Sequence, residues 1–157
     1  AFTCDEIWLA MPHRAEDDSR NVVLNDMNKP FAEYALDEAA MAKWSRIIAV
    51  RNAVNGALEA ARAEKKIGKA LEAQVALTVA AEDAFLAEMD AQLVADLFIV
   101  SKVEITVGAE LAVSVAAAEG EKCDRCWTFI TDAIVDTDAE GNTGCLCPRC
   151  HKVVYGN

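Results

Sequence analysis

The stretch EKCDRCWTFITDAIVDTDAEGNTGCLCPRCHK, residues 121–152, holds five of the six cysteines of this 157-residue chain. They include two C-x2-C pairs, Cys123 with Cys126 and Cys147 with Cys150, separated by 20 residues. A tail of this size buries too little apolar surface to fold by itself, so something other than a core must hold it. Each C-x2-C turn lets two thiolates converge on one ion, and two turns complete a tetrahedral shell. Zinc suits four soft thiolates in a closed site with no redox chemistry. One structural Zn2+ is therefore expected on Cys123, Cys126, Cys147 and Cys150. A closed shell leaves no open position for a catalytic water.

Cys145 is one residue from Cys147 and competes with it on spacing, but the C-x2-C turn with Pro148 inside is the better knuckle. Cys145 is then a spare. His151, adjacent to Cys150, would have to reach back around its own backbone, so it reads as a residue beside the site or on the surface. Cys4 reads as a small packed residue. Trp127 either packs over the knuckle or, with Arg125, offers unpaired nucleotides a stacking face and donors. Arg149 and Lys152 could add phosphate contacts.

The net charge of −11 argues against indiscriminate nucleic-acid binding. Its distribution is uneven: residues 42–69 carry Lys43, Arg46, Arg51, Arg62, Lys65, Lys66 and Lys69 against two acids, and the other segments are acidic. From Asp37 to Lys66 the residues Met41, Trp44, Ile47, Ile48, Val50, Val54, Leu58 and Ala61 recur near helical spacing, which predicts a long amphipathic helix ended by Gly68. LEAQVALTV alternates as a strand. AAEDAFLAEMDAQLVADLF reads as a second helix, and VSKVEITV and ELAVSVAAA as two strands joined around Gly108. Upstream, Thr3 and Glu6 form a capping-box pattern before an apolar face of Ile7, Trp8 and Met11, cut off by Pro12. NVVLNDMNKP reads as a short extended segment.

The expected fold is α+β in three segments: 1–68 with the long helix, 69–120 as a small β-α-β-β unit, and 121–157 as the zinc finger. LVADLFIV, broken by Asp96, is too short to span a bilayer, and no signal sequence opens the chain. A cytoplasmic setting with reduced thiols is expected. The opening AFTCDEIWLAMP, without an initiator Met, looks like a piece of a longer protein.

The order of these features resembles the C-terminal end of a bacterial-type isoleucyl-tRNA synthetase. AFTCDEIWLAMP resembles a segment of that family's helical anticodon-binding domain. VRNAVNGALEAARAEKKIGKALEAQVAL resembles its long helix running into a lysine-rich turn, and GEKCDRCW with CPRC resembles its terminal zinc finger. The chain departs from the family at Ala1, where proline is usual, and in the longer gap between knuckles that contains Cys145. The resemblance implies that the intact enzyme uses ATP to ligate isoleucine to its tRNA. ATP would bind only in a catalytic domain that this chain lacks, since neither a His-Ile-Gly-His nor a Lys-Met-Ser-Lys-Ser motif is present. The chain would be a non-catalytic portion that holds the anticodon arm of isoleucine tRNA, as a monomer. Arg62, Lys65, Lys66 and Lys69 would join Arg125, Trp127, Arg149 and Lys152 as its tRNA contacts. Two alternatives are a free-standing zinc ribbon that binds protein or DNA, and an iron-bearing, rubredoxin-like electron carrier.

Overall fold

The computed structural model describes residues 2–27, 29–137, 141 and 143–156. They fall into two compact units, divided between Asp37 and Glu38. Among the described residues no helix is long and apolar enough to cross a membrane.

In the first unit, helix α1 (Phe2–Ala10) buries none of its residues. Thr3 lies inside it, so the capping-box expectation fails, and Cys4 is exposed, not packed. The apolar face is also weaker than expected: Trp8 is half-buried, but Ile7 and Met11 stay exposed. The Trp8 indole N–H donates to the Asp18 carbonyl at 3.1 Å, and Asn25 ties Asp18 to Asn21 through its amide. The described part of NVVLNDMNKP opens on a 3-10 turn and not on an extended segment. Asn21 Oδ1 accepts the Val23 amide at 3.0 Å and starts a 3-10 turn at Val22–Leu24, as short polar side chains do when they compete for the backbone.

The second unit is built on helix α2 (Glu38–Ala63), which buries Ile47, Val50, Val54, Leu58 and Ala61 along one stripe. Met41, Trp44 and Ile48, expected on the same face, remain 43–54% exposed. A 26-residue helix is about 39 Å long, whereas a seven-residue strand is about 23 Å, so α2 overruns the sheet it covers. The helix also stops before Gly68. Lys65 takes φ = 60°, its amide bonds to the Arg62 carbonyl and the Lys66 amide to the Ala61 carbonyl. This is a Schellman closure with lysine in the left-handed position that glycine usually fills.

Strand β1 (Ala73–Val79) is central. It pairs in parallel with β2 (Lys102–Val107) and antiparallel with β3 (Ala112–Ala117), so the two strands joined around Gly108 flank β1 instead of pairing with each other. Ala73, Val75, Leu77 and Val79 are buried, and the core they share with α2 is closed by Leu86, Val94, Phe98 and Val100. The long helix therefore shares a core with the sheet. The expected second helix is two pieces, a 3-10 run over Ala81–Glu88 and helix α3 (Ala91–Phe98). Asp90 separates them because its carboxylate accepts the Leu93 amide at 2.9 Å and begins α3 afresh. Asp83, with only 5% of its side chain exposed, is held by Arg46 through two bonds of 2.8 Å.

At Gly120 the chain passes into the finger with φ = +100°, and a Cβ there would stand 2.1 Å from the Ile130 carbonyl oxygen. Only glycine fits. Strands β4 (Glu121–Lys122) and β5 (Phe129–Ile130) pair, as do β6 (Ile134–Thr137) and β7 (Thr143–Leu146), before helix α4 (Pro148–Tyr155). The finger is tied to the sheet by buried Ser101. Its hydroxyl donates to the Leu71 carbonyl at 2.5 Å and accepts the Phe129 amide at 2.7 Å. The architecture is α+β, as expected.

Two substitutions test this account by denaturant unfolding. Phe98→Ala, which empties a fully buried site, should cost about 3–5 kcal/mol. Ser101→Ala leaves a buried donor and acceptor without partners and should cost about 1–3 kcal/mol; a change below 0.5 kcal/mol, roughly the surface-mutation range, would discount the joint.

Candidate metal centre

The four sulfurs of Cys123, Cys126, Cys147 and Cys150 lie within 4.8 Å of one another. Cys123 and Cys150 are fully buried and Cys147 nearly so. Each knuckle is set by local backbone. In the first, the Trp127 amide bonds to the Cys123 carbonyl at 2.9 Å, and the Cys123 amide to the Thr128 carbonyl at 2.9 Å. In the second, Cys147 serves as N-cap of α4, its sulfur accepting the Cys150 amide at 3.3 Å, with Pro148 at the first helical position.

The donor set fits a tetrahedral thiolate-bound dication. Sulfurs placed about 2.3 Å from zinc stand about 3.8 Å apart, and Cys126 and Cys147 are separated by 3.8 Å. The electrostatics also call for a cation. Burial pushes the Cys147 thiol up to about 12. At Cys126 burial acts in the same sense, but the Thr128 hydroxyl and amide overcome it and bring the thiol down to about 6. At Cys123, too, burial is outweighed by backbone N–H groups, those of Cys126, Cys147 and Arg125. Thiolate-favouring sulfurs thus sit against one that burial keeps protonated. A bound dication lets all four ionise together.

Cys145 and His151 lie outside the cluster. The Cys145 amide donates to Asp124 Oδ2 at 2.7 Å, and burial, then the charges of Asp124 and Glu121, raise its thiol. His151 Nε2 is 2.9 Å from Asp136 Oδ2 on β6, so the ring joins the β6–β7 hairpin to α4.

The residues expected to meet tRNA are distributed unequally. Trp127 is 53% exposed. Arg125 Nη1 lies 3.7 Å from Cys150 Sγ, and Arg149 pairs with Asp96 of α3 at 3.3 Å. Arg62 bonds to Glu59 and to the Gly68 carbonyl, and Lys66 pairs with Glu64 at 2.7 Å. Lys65 and Lys152 are exposed. Lys69 Nζ alone of the helix-end cations comes over the Trp127 ring, 5.6 Å from its centroid. Further up α2, Arg46 bonds to Asp83, Arg51 to the Leu97 carbonyl at 2.9 Å, and Lys43 lies over Phe85. Three of the seven cations of the basic run, Lys43, Arg46 and Arg51, are thus engaged by other elements of the fold.

Sequence reasoning missed three residues. Thr128 is buried with its hydroxyl 3.0 Å from Cys126 Sγ. Lys122 lies 5.3 Å from the Trp127 centroid, and Ser101 forms the joint to the sheet. Lys122 was within reach as the neighbour of Cys123. No local signal marks Ser101, because its partners are distant in sequence.

The purified chain should carry one metal ion by elemental analysis. Cys145→Ser should retain it, and Cys123→Ser should lose it and melt the finger while α2 persists; a full metal equivalent in Cys123→Ser would refute the ligand set. Because each thiol must lose a proton to bind, metal affinity should fall as pH is lowered from about 8 to 6, read by chelator competition.

No protein-family model matches the chain. Individual relatives do: an isoleucine–tRNA ligase of Desulforamulus reducens is 44% identical over 167 residues, and one of Geobacter sulfurreducens is 38% identical over 168. Each alignment takes in 98% of this chain and 17% of the relative. A Staphylococcus haemolyticus isoleucine–tRNA ligase is 38% identical over 162 residues, covering 97% of the chain and 16% of that protein. The chain thus spans about one sixth of the length of the curated relatives it matches, and over nearly its whole length it is similar to one portion of these isoleucine–tRNA ligases.

Proposed function

We propose that this chain is the tRNA-holding, non-catalytic portion of an isoleucine–tRNA ligase, and that it positions the anticodon arm while a separate catalytic domain uses ATP to join isoleucine to the acceptor end. In this reading residues 1–68 end a helical anticodon-binding domain, 69–120 form a small α+β support, and 121–157 form a finger closed by one structural zinc on Cys123, Cys126, Cys147 and Cys150. The zinc supplies folding free energy and no chemistry.

The observation that carries the reading is Trp127. It occupies the residue after the first knuckle at φ = 67°, a conformation suited to glycine and costly for a bulky side chain. A residue that adopts this backbone usually recovers the strain by packing, yet more than half of the Trp127 surface is open. The knuckle holds the backbone in this conformation and leaves the ring open to solvent, which supports a binding role. An aromatic plane held rigidly beside cations suits an unstacked base, the usual target of sequence-specific RNA recognition. Lys65, Lys66, Lys69, Arg62, Arg125, Arg149 and Lys152 would contribute backbone contacts, which position the RNA without reading it.

Trp127→Ala should weaken binding of an isoleucine tRNA transcript by about 1–3 kcal/mol. Trp127→Gly separates function from packing. Glycine relieves the left-handed backbone, so the melting temperature and zinc content should be maintained while RNA affinity falls. A destabilised glycine variant with unchanged affinity would assign Trp127 to packing and remove the support for this reading.

A further inference from the structure

Two lysines from remote segments converge on one ring. Lys69 belongs to the turn after α2 and Lys122 to β4, and their Nζ atoms lie 5.6 and 5.3 Å from the Trp127 centroid. Cation–π attraction at an open site is weak, whereas two ammonium groups at one ring repel each other. Among the described residues no carboxylate forms an ion pair with either lysine. Glu72 feels both charges but is already committed: the backbone N–H groups of Gly68 and Lys69, and then the lysine charges, hold its carboxyl below the usual range. In a chain of net charge −11, this is a local excess of positive charge around an exposed aromatic plane.

We infer that Lys69 and Lys122 form a phosphate clamp around a nucleotide whose base lies on Trp127. The inference rests on the tRNA-binding reading above and adds to it Lys122 and a shared site. An acidic peptide would satisfy the two cations but offers no planar face for the indole. A nucleotide supplies a base flanked by phosphates.

The clamp is assembled from two parts of the fold. Lys69 stands two residues before Leu71, and Trp127 two residues before Phe129; Ser101 bonds to both Leu71 and Phe129. The finger alone holds Trp127 and Lys122 but lacks Lys69. The site is therefore complete only when the metal has folded the finger and Ser101 has seated it on the sheet.

The test measures affinity of the zinc-loaded chain for a labelled isoleucine tRNA transcript between about 50 and 200 mM salt. Each phosphate contact to single-stranded nucleic acid contributes about 0.7 to the slope of log K against log salt. Lys69→Gln and Lys122→Gln should each lower the slope by about 0.7, and the double variant by about 1.4. Arginine at either position should restore it. Trp127→Gly should weaken binding at every salt concentration and leave the slope in place. Full zinc content and an unchanged melting profile confirm that each variant is folded. An unchanged slope in the double variant, with Trp127→Gly still weakening binding, would overturn the clamp and leave the tRNA reading intact. No binding by the unaltered chain, or no response to Trp127→Gly, would sink that reading and the clamp with it. Competition by oligoglutamate as strong as by oligouridylate would assign the site to acidic peptides and overturn the proposal.

Discussion

Four thiols brought within 4.8 Å of one another in a buried site impose the central constraint on this structure. They cannot all ionise without a cation, and without ionised sulfurs the finger has almost nothing to fold around. Among the described residues, its buried apolar groups amount to little beyond the cysteines and Leu146, with Ile130 and Tyr155 partly covered. The strands in this region are two to four residues long, too short to stand without support. Metal affinity and folding are thus one free energy here. The position of Trp127 and Lys122 depends on it, because the first cysteine knuckle also sets the backbone of Trp127.

The rest of the second unit is a conventional core under a half-open sheet. Helix α2 and the α3 crossover cover one face of β1 with Val, Leu and Phe side chains. The joint between this core and the finger is polar, centred on the buried hydroxyl of Ser101 and joined by the exposed Arg149–Asp96 pair. Such a joint fixes orientation better than a greasy contact does, since hydrogen bonds are directional and costly to leave unmade. It is what turns a lysine after a long helix and a tryptophan after a metal knuckle into neighbours.

The four-cysteine cluster was legible in the sequence because it is a matter of spacing: C-x2-C places two sulfurs on one turn wherever that turn occurs. The helix α2 and strand β1 were legible for the same reason, each having a hydrophobic period long enough to identify it. The failures arose where a single side chain competes with the backbone. Asp90 cut a continuous apolar pattern into a 3-10 run and a separate helix, and Asn21 began a 3-10 turn where a short extended segment was expected. Lys65 ended α2 where glycine was expected at 68, because closure depends on two hydrogen bonds and not on residue type alone. The basic run could not be apportioned from sequence either. Arg46 proved to be the partner of buried Asp83, 37 residues away.

By itself, then, the sequence determined the α+β class, the long helix, the strand β1 and the spacing that lets four cysteines cluster, all consequences of local periodicity and spacing. Only the tertiary structure decided that β2 and β3 would flank β1, that α2 would share its core, and that Lys69, Trp127 and Lys122 would meet. These depend on long-range hydrogen bonds and burial, whose partners are scattered along the chain and leave no periodic trace.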